Sequence, residues 1–270
     1  MHPFQTIAVR AARAAGDFIV RHLDRLDTVS VSEKGRNDLV SEVDRGAEER
    51  IVSIIRKAYP DHAILAEESG RSAGKGEGAE FEWIIDPLDG TMNFVHGLPH
   101  FCVSIAVRRG SVLEQGVIFD PVRQEIFSAS RGGGAQLEGR RVRINPRKEL
   151  RGALISTGMP FRQIDNLDNH LDAIRRLMPR CGAMRRTGSA ALDLAYVAAG
   201  RLDGFWEMGL SPWDMAAGAL MVREAGGIVT DEAGAQDFLE SGNVIAAAPR
   251  VHAALIPILR RSAVRGGEPG

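Results

Sequence analysis

Several features that define whole classes of protein are scarce in this sequence. It holds two cysteines in 270 residues, Cys102 and Cys181, which lie far from each other along the chain. Neither a disulfide framework nor a cysteine-based metal site is therefore predicted, and both are expected to be ordinary thiols. An excess of one charge is also lacking, since 34 Lys and Arg face 35 Asp and Glu. A near-neutral chain predicts no extended surface for a polyanion, so sequence-specific nucleic-acid binding is not expected.

Long uncharged hydrophobic runs are missing as well. The opening residues, MHPFQTIAVRAARAAG, carry Arg10 and Arg13 inside their apolar pattern, which argues against a signal peptide and against a membrane span. The cytoplasm is the expected location. Hydrophobic residues make up 44% and charged residues 26% of the chain, an ordinary globular composition. A chain of this length buries a large core, so one large domain or two closely packed subdomains are expected.

Residues 83–96, WIIDPLDGTMNFVH, contain the strongest signal for a functional site. Two isoleucines lead a predicted strand to Asp86, where Pro87 removes a donor from the hydrogen-bond ladder just before a second carboxylate, Asp89. The turn that Pro87 favours lets the two aspartates converge instead of alternating between the faces of a strand. Converging carboxylates repel each other unless a cation lies between them, and hard oxygen ligands suit Mg²⁺ or Mn²⁺. The segment therefore predicts a metal site.

The same segment continues with groups that suit an anion. Gly90 and Thr91 offer backbone N–H groups and a hydroxyl beside the predicted metal, where a glycine lets an anion approach the backbone closely. Together these residues indicate a metal-assisted phosphate site. The alternative is a turn whose aspartates only cap the following segment, which is a common use of these residue types.

The first 150 residues show helical patterns followed by strand patterns. Apolar residues at steps of three and four predict amphipathic helices over residues 4–23 and 43–55. Asp44 lies early in the second helix. The sequence leaves two roles open for it, stabilisation of the helix dipole and contact with a metal. Strands are predicted at residues 28–31, 62–68, 101–107, 112–119 and 125–130, followed by a hairpin around Gly139.

Two segments of this half are predicted to be loops. Lys34, Gly35 and Asn37 mark the first loop. The second is residues 70–80, where glycines alternate with charged residues, and we expect it to be a flexible surface flap. It follows Glu67, a carboxylate at the end of a predicted strand.

From residue 151 the pattern changes to alternating strands and helices. Ser189 and Ser211 are the expected N-caps of two helices, and Pro212 at the first helical position places Asp214 in the first turn. The segment 184–188 is expected to be a short connector. Strands are predicted at 153–157, 203–208, 228–230 and 244–248, and further helices at 169–178 and 251–259. The halves 1–150 and 151–262 are expected to form one compact unit, followed by a disordered tail at 263–270.

Three short motifs together resemble the inositol monophosphatase family of lithium-sensitive, magnesium-dependent sugar and cyclitol phosphatases. They are EES at residues 67–69, DPLDGT at 86–91 and PWDMAAG at 212–218, and the match covers nearly the whole chain. The resemblance implies an α/β fold of the α+β kind, a five-layer αβαβα sandwich. Its first half would carry most metal ligands on a mostly antiparallel sheet, and its second half would supply Glu207 and Asp214. The implied reaction is Mg²⁺-dependent hydrolysis of a phosphate monoester, in the first place inositol 1-phosphate.

The resemblance also implies roles for individual residues. Glu67, Thr91 and Asp44 are implied for catalysis, with Glu67 and Thr91 orienting a metal-activated water that attacks the phosphate in line. The implied metal ligands are Glu67, Asp86, the carbonyl of Leu88, Asp89 and Asp214. Substrate would contact Asp89, Gly90, Thr91, Ser189, Ala190, Glu207 and Asp214. Two or three Mg²⁺ ions are implied, with Mn²⁺ as a substitute and Li⁺ as an inhibitor, and Lys34 matches a family lysine near the site.

The sequence alone leaves alternatives for the roles of single residues, for the enzyme class and for the substrate. Glu207 and Ser189 are also explained by polarity at a sheet edge and by helix capping. Aspartyl-phosphate phosphatases carry an Asp-x-Asp-x-Thr motif that superficially resembles residues 86–91. That class is disfavoured, because two residues separate the aspartates here and Pro87 stands where a nucleophile would need a regular turn. Inositol, sugar and nucleotide phosphates all suit one metal core, so the physiological substrate is also open.

A non-enzymatic role is a further alternative. Residues 184–207, MRRTGSAALDLAYVAAGRLDGFWE, resemble a bacterial branch of the family whose members also serve as transcription antitermination factors. This resemblance implies a homodimer, with Arg185 and Arg186 near its interface, and transcription machinery proteins as partners. Exposed arginines are also commonly no more than solvated charge.

Overall fold

The protein is described here by a computed structural model that covers residues 2–23, 25–26, 31–35, 38–161 and 164–260. The helices in this part of the chain are α1 (Pro3–Leu23), α2 (Glu42–Ala58), α3 (Thr91–Val95), α4 (Leu167–Leu177), α5 (Ala190–Ala198), α6 (Pro212–Glu224), α7 (Phe238–Ser241) and α8 (Pro249–Leu259). Single 3₁₀ turns occur at Gly76–Glu80, Ile164–Asn166 and Met178–Arg180. In the described ranges, no helix combines the length and the apolar character that crossing a membrane requires.

Two large sheets and a short hairpin contain the strands. The hairpin pairs β1 (Val31–Gly35) with β2 (Asp38–Ser41). The first sheet contains β3 (Ala63–Ala66), β4 (Gly70–Ser72), β5 (Phe81–Asp89), β6 (Cys102–Arg109), β7 (Val112–Asp120), β8 (Glu125–Ser130), β9 (Gly134–Leu137) and β10 (Arg140–Val142). Its order is β10-β9-β8-β7-β6-β5-β3-β4, and every pair is antiparallel except β3 with β5.

The second sheet is mixed. Its strands are β11 (Leu154–Thr157), β12 (Ala183–Arg185), β13 (Gly204–Glu207), β14 (Ile228–Thr230) and β15 (Val244–Ala247), in the order β12-β11-β13-β15-β14. The strand β11 runs parallel to both of its neighbours, whereas β15 runs antiparallel to both of its own. The carboxyl ends of β11 and β13 therefore lie side by side, and polar residues at these ends can meet in one place.

Helices and sheets alternate in five layers. Helices α1 and α2 pack against each other and cover one face of the first sheet, while α5 and α6 lie between the two sheets and contact both. The outer face of the second sheet is covered by α8, against which α4 packs. This order, helix, sheet, helix, sheet, helix, confirms the αβαβα sandwich that the resemblance implied. The middle helices and the first sheet come from different halves of the sequence.

Three hydrophobic clusters fill the spaces between these layers. The cluster under α1 and α2 includes Ile51, Trp83 and Ile85, all fully buried. The cluster around α5 and α6 is shared by both halves of the chain and includes Ile84 and Met215. A third cluster lies between the second sheet and the helices α4 and α8. Each sheet is thus covered on both faces, which matches the nearly continuous apolar runs of its central strands.

Small residues bring the middle helices unusually close to their neighbours. A Cβ placed on Gly116 of β7 would lie 2.9 Å from the carbonyl oxygen of Ala217 on α6. A Cβ on Gly218 of α6 would lie 2.4 Å from the Cβ of Leu194 on α5. Side chains larger than hydrogen cannot occupy either position without moving backbone, so these contacts set the position of α6 and of its first turn.

The structure corrects three predictions for local segments. Residues 70–80 are not an irregular flap, because they form β4 and the 3₁₀ turn at Gly76–Glu80. A Cβ would meet the Asp61 carbonyl oxygen at 2.7 Å on Gly74 and at 2.9 Å on Gly78, so these two glycines allow close packing. Lys34 and Gly35 belong to strand β1 and not to a loop, and part of the connector at 184–188 is strand β12.

Other predicted segments agree with the structure or fall outside its description. The predicted helices over 4–23 and 43–55 are α1 and α2, and strands 125–130 and 228–230 are β8 and β14. The predicted strand at 28–31 and the loop residue Asn37 lie mostly or wholly outside the described residues, as does the tail 263–270. The division at residue 150 stays a prediction. The short helices α3 and α7 are not predicted, because four or five residues are too few to show a period.

Candidate metal and phosphate site

An irregularity in strand β5 brings the two aspartates of the central motif together. Asp86 pairs with Ser104 and Asp89 pairs with Cys102, so three steps along β5 match two steps along β6. The extra residue is a β-bulge, and it turns Asp89 to the same side of the sheet as Asp86. The strand does not end at Asp86, as the sequence suggested, since β5 continues through Pro87 to Asp89. Convergence of the aspartates was predicted correctly, but a bulge produces it and not a turn.

Asp214 completes a cluster of three carboxylates. One oxygen from each of Asp86, Asp89 and Asp214 can be chosen so that all three atoms lie within 4.8 Å of one another. Ligands on opposite sides of a Mg²⁺ ion are about 4.2 Å apart, since each bond is about 2.1 Å long. The spacing and the purely oxygen donor set therefore fit a hard divalent cation.

The charge of this cluster is poorly solvated. Burial raises the pKa of Asp86 well above its usual range, and the nearby carboxylates of Glu67, Asp89 and Asp214 raise it further. A buried carboxylate group that faces three others favours the protonated form unless a cation balances the charge. The arrangement costs free energy in the absence of metal, which is typical of a binding site and not of a structural turn.

Each carboxylate is held by donors on a different element. The backbone N–H of Ser211, the N-cap residue of α6, donates to Asp214 Oδ2 at 2.7 Å. Asp214 is the third residue of α6, so this bond is one half of a capping box. The predicted start of this helix is confirmed, with Ser211 as N-cap and Pro212 as first residue. The cap therefore fixes the rotation of the Asp214 side chain.

The N-terminus of α5 holds Asp89. The Ser189 hydroxyl donates to Asp89 Oδ2 at 2.6 Å, and the Ala191 backbone N–H donates to the same oxygen at 2.8 Å. Ser189 is also the N-cap of α5, as predicted, and accepts from the N–H of Leu192 at 3.4 Å. These two donors therefore hold the Asp89 carboxylate in place at the N-terminus of α5. Ser189 thus orients a predicted ligand, which is more than the capping role that its sequence position indicates.

Thr91 connects the motif to helix α2. Its hydroxyl lies 2.8 Å from Asp44 Oδ1 and 3.1 Å from the Leu88 carbonyl oxygen. Asp44 is 1% exposed and contacts Thr91 from behind the cluster. Gly90 has a φ of 96°, in the left-handed region, and a Cβ there would lie 3.1 Å from the His100 carbonyl oxygen. Only glycine satisfies both constraints, so the backbone of this turn is closely determined.

A second carboxylate on α2 was not singled out from the sequence. Glu48 lies one helical turn after Asp44, is 4% exposed, and accepts the backbone N–H groups of Glu68 and Ser69, each at 2.8 Å. These two residues directly follow Glu67, so Glu48 fixes the turn that carries the Glu67 side chain. The four-residue spacing of two acids on a helix with an apolar face was the available signal.

A cavity of about 160 Å³ opens beside the cluster. It is lined by all of the predicted metal-ligating and substrate-contacting residues, namely Glu67, Asp86, Leu88, Asp89, Gly90, Thr91, Ser189, Ala190, Glu207 and Asp214. Of the predicted catalytic residues only Asp44 does not line it. The side chain of Lys34 lies outside the description of the structure.

The side of the cavity away from the cluster is built from the second sheet. Glu207 ends β13, and a Cβ on Gly158, just after β11, would lie 1.8 Å from Glu207 Oε1. A glycine is therefore required for the Glu207 carboxylate to lie where it does. Burial raises the pKa of Glu207 well above its usual range, and the negative charges of Asp214 and Asp193 raise it further. The positive charge of Arg186 lowers this pKa.

We expect Glu48→Ala to weaken metal binding although Glu48 itself does not line the cavity. The substitution removes the acceptor from two N–H groups of the turn beside Glu67, at a cost of about 1 kcal/mol each. Isothermal titration with Mn²⁺ should show a several-fold weaker affinity, and Glu48→Gln should recover part of it because its amide oxygen still accepts. The control is Glu49→Ala, an exposed neighbour on the same helix. Equal Mn²⁺ affinities for Glu48→Ala and wild type would contradict this role.

The comparisons with known proteins agree with this geometry. The model of the inositol monophosphatase family matches residues 1–263. A protein of Pseudomonas aeruginosa named Nus factor SuhB is 57% identical over 262 residues, covering 96% of this chain and 97% of its own. The Nus factor SuhB of Escherichia coli is 50% identical over 260 residues, covering 96% of this chain and 97% of its own.

Solved structures give the same answer for the fold. The extragenic suppressor protein suhB of Bartonella henselae superposes with a TM-score of 0.92 at 43% identity, covering 98% of this chain and 100% of its own. An inositol monophosphatase of Thermotoga maritima superposes with a TM-score of 0.84 at 38% identity, covering 93% of this chain and 94% of its own. On its sequence, its five layers and its carboxylate cluster, the chain belongs to the inositol monophosphatase family.

Proposed function

We propose that the chain is a Mg²⁺-dependent phosphate monoester hydrolase, and in the first place an inositol-1-monophosphatase that converts inositol 1-phosphate and water to inositol and phosphate. The observation that carries the proposal is the cluster of Asp86, Asp89 and Asp214 beside a cavity. A phosphatase for another sugar or for a nucleotide phosphate is the alternative substrate assignment. The family and its fold support phosphatase activity. The assignment of inositol phosphate as the substrate is the more specific part of the proposal.

The residues present fit two or three Mg²⁺ ions, with Mn²⁺ as a substitute. Glu67, Asp86, the Leu88 carbonyl, Asp89 and Asp214 would hold them. When bound, the ions would neutralise the phosphate oxygens, make an attacking water more acidic and stabilise the leaving alcohol. The donor set supports this choice, since carboxylate and carbonyl oxygens without nitrogen or sulfur favour Mg²⁺ or Mn²⁺.

The attacking water and the phosphate would be placed by the chain's own groups. We assign orientation of the water to Glu67 and to the Thr91 hydroxyl, which Asp44 holds at 2.8 Å. Because the hydroxyl donates its proton to Asp44 or to the Leu88 carbonyl, its oxygen can accept a hydrogen bond from water. The backbone N–H groups of Gly90 and Thr91 would hold the phosphate. Attack is direct, and no side chain is proposed as a nucleophile.

The leaving alcohol would occupy the side of the cavity formed by the second sheet. The Glu207 carboxylate is assigned to substrate hydroxyls, with Ser189 and Ala190 closing over the alcohol. A carboxylate in this place accepts hydrogen bonds and donates none when ionised, so it favours hydroxyl donors over apolar groups. This is consistent with a polyol phosphate as substrate.

Asp89→Asn tests the metal assignment. We expect kcat to fall by about 100-fold or more, because a neutral amide weakens both metal affinity and charge balance. The thermal midpoint without metal should not fall, since the substitution removes one of several repelling charges while an amide oxygen can still accept from Ser189 and Ala191. Activity is measured by phosphate release at several Mg²⁺ concentrations and stability by differential scanning calorimetry. Near wild-type activity at saturating Mg²⁺ would refute the assignment.

Lithium provides a second test. We expect Li⁺ to inhibit by occupying a metal position in the carboxylate cluster after the alcohol has left, so that inhibition is uncompetitive toward substrate. Initial rates over a grid of Li⁺ and substrate concentrations should then show kcat and KM falling together, with no relief at high substrate. K⁺ at the same ionic strength is the control. A competitive pattern would show that Li⁺ acts before the alcohol departs.

A second candidate function is supported by the names of the relatives. Proteins 50% and 57% identical to this chain are named Nus factor SuhB. We propose that this chain also binds the transcription machinery as an antitermination factor in the cytoplasm, and that it forms a homodimer. Arg185 and Arg186 are exposed, and Arg185 ends β12, the edge strand of the second sheet. An edge strand that carries exposed basic side chains is a suitable protein contact.

Charge reversal at Arg185 should separate the two functions. We expect Arg185→Glu to lose capture of RNA polymerase subunits from a bacterial lysate, identified by mass spectrometry, while it keeps phosphate release. Asp89→Asn should show the opposite pattern. Light scattering on both variants reports whether a dimer is lost together with the capture. If the wild-type chain captures no polymerase subunit, the antitermination role is wrong.

A further inference from the structure

Asp193 is a cavity residue to which the proposed reaction has so far given no role. It lies on α5, is 2% exposed, and lines the cavity together with Glu207. Its Oδ2 atom accepts two hydroxyl donors, Ser156 at 2.7 Å and Thr187 at 2.8 Å. Two donors on one oxygen fix the plane of the carboxylate, so the direction of the other oxygen is also fixed.

The second oxygen of this carboxylate is the unusual one. Oδ1 of Asp193 is buried and has no hydrogen-bond partner among the described residues. Buried acceptors are nearly always satisfied, and leaving one unpaired inside a protein is costly, more so when it carries charge. A group of this kind at the wall of a cavity is therefore a candidate for contact with a ligand.

The surroundings of Asp193 indicate which ligand group fits. Burial raises the pKa of both Asp193 and Glu207, and the charge of Asp193 raises the pKa of Glu207 further. The basic side chain of Arg186 lowers the pKa of both carboxyl groups. Among the described residues that line the cavity, Arg186 is the single lysine or arginine. Two carboxylates near one cation repel a second anionic group on a substrate and attract hydroxyl donors.

We propose that Asp193 is a specificity residue that accepts a hydrogen bond from a hydroxyl of the leaving alcohol, so that the site prefers phosphate monoesters of polyols. The inference rests on the proposed phosphatase function and adds a second acceptor beside Glu207. Both act on the alcohol and neither on the phosphate. A phosphate ester whose alcohol has no further hydroxyl cannot use this contact.

Asp193 also has a positioning role that the test must separate. Through Thr187 it holds the segment before Ser189, and Asn93 Nδ2 donates to the Thr187 carbonyl at 3.0 Å from the other side. A variant could therefore lose activity only because Ser189 shifts away from Asp89. That loss would affect every substrate equally, whereas loss of a hydroxyl acceptor would affect hydroxylated substrates alone.

The experiment compares Asp193→Ala and Asp193→Asn with wild type on two kinds of substrate. The hydroxylated substrates are inositol 1-phosphate and glycerol 2-phosphate, and the substrate without a free hydroxyl is 4-nitrophenyl phosphate. For Asp193→Ala we expect kcat/KM to fall about tenfold or more on the hydroxylated esters, mainly through KM, and to stay within about twofold on 4-nitrophenyl phosphate. Asp193→Asn should lie between, since its amide oxygen keeps the bonds to Ser156 and Thr187.

Thr187→Val is the matched control. It removes one of the two hydrogen bonds to Asp193 but keeps the carboxylate and its bond from Ser156, so any loss should fall on both kinds of substrate and leave the preference between them unchanged. An equal fall on both kinds for the Asp193 variants, or no fall on either, would overturn the proposal. If circular dichroism shows that Asp193→Ala does not fold, Asp193→Asn decides, by its kcat/KM on the hydroxylated esters relative to that on 4-nitrophenyl phosphate. A wild-type chain that hydrolyses none of the esters would instead refute the phosphatase function.

Discussion

Repulsion among buried carboxylates is the constraint on which the site depends. Asp86 and Asp214 are buried and Asp89 beside them is half-buried, so little water screens their charges. Each is nevertheless held by its own donors, among them the Leu88 N–H on Asp86, the Ser189 hydroxyl on Asp89 and the Ser211 N–H on Asp214. The fold supplies these donors in advance, so the carboxylates do not need to reorganise when a cation binds. Such an exchange of stability for preorganisation is typical of metal sites and supports the one proposed here.

Every layer around the site contributes one part of it. The first sheet delivers the aspartate pair through β5, the middle helices deliver Asp214 and the donors that hold Asp89, and the second sheet delivers Glu207. Helix α2, which two layers separate from Glu207, supports the Thr91 and Glu67 turns. The site therefore lies where the layers meet, and the close glycine contacts of α6 matter because they bring this helix against β7 of the first sheet and against α5.

Much of this arrangement could be predicted from sequence, and the exceptions have physical reasons. The convergence of Asp86 and Asp89 is predictable because two acids beside a proline at the end of an apolar run are visible in the sequence. The helix start at Ser211 and Pro212 is visible too, but the metal role of Asp214 is implied only by the family resemblance. Glu48 and Asp193 were not predicted, since a single acid inside a helix looks like solvated surface until its tertiary partners are known. The segment 70–80 was predicted wrongly because glycine has two uses. Composition cannot distinguish a glycine that permits close packing from one that permits motion.

The bulge in β5 divides the strand into two stretches of opposite phase. Before it, Ile85 points into the cluster under α1 and α2 and Ile84 into the cluster around α5 and α6; after it, the even-numbered Leu88 points under α1 and α2. Odd and even positions thus exchange sides within three residues. Uniform alternation over the same nine residues would instead place Asp89, three positions after Asp86, on the opposite face of the sheet from it. The shared face of the two aspartates therefore depends on one extra residue in the strand as much as on the aspartates themselves.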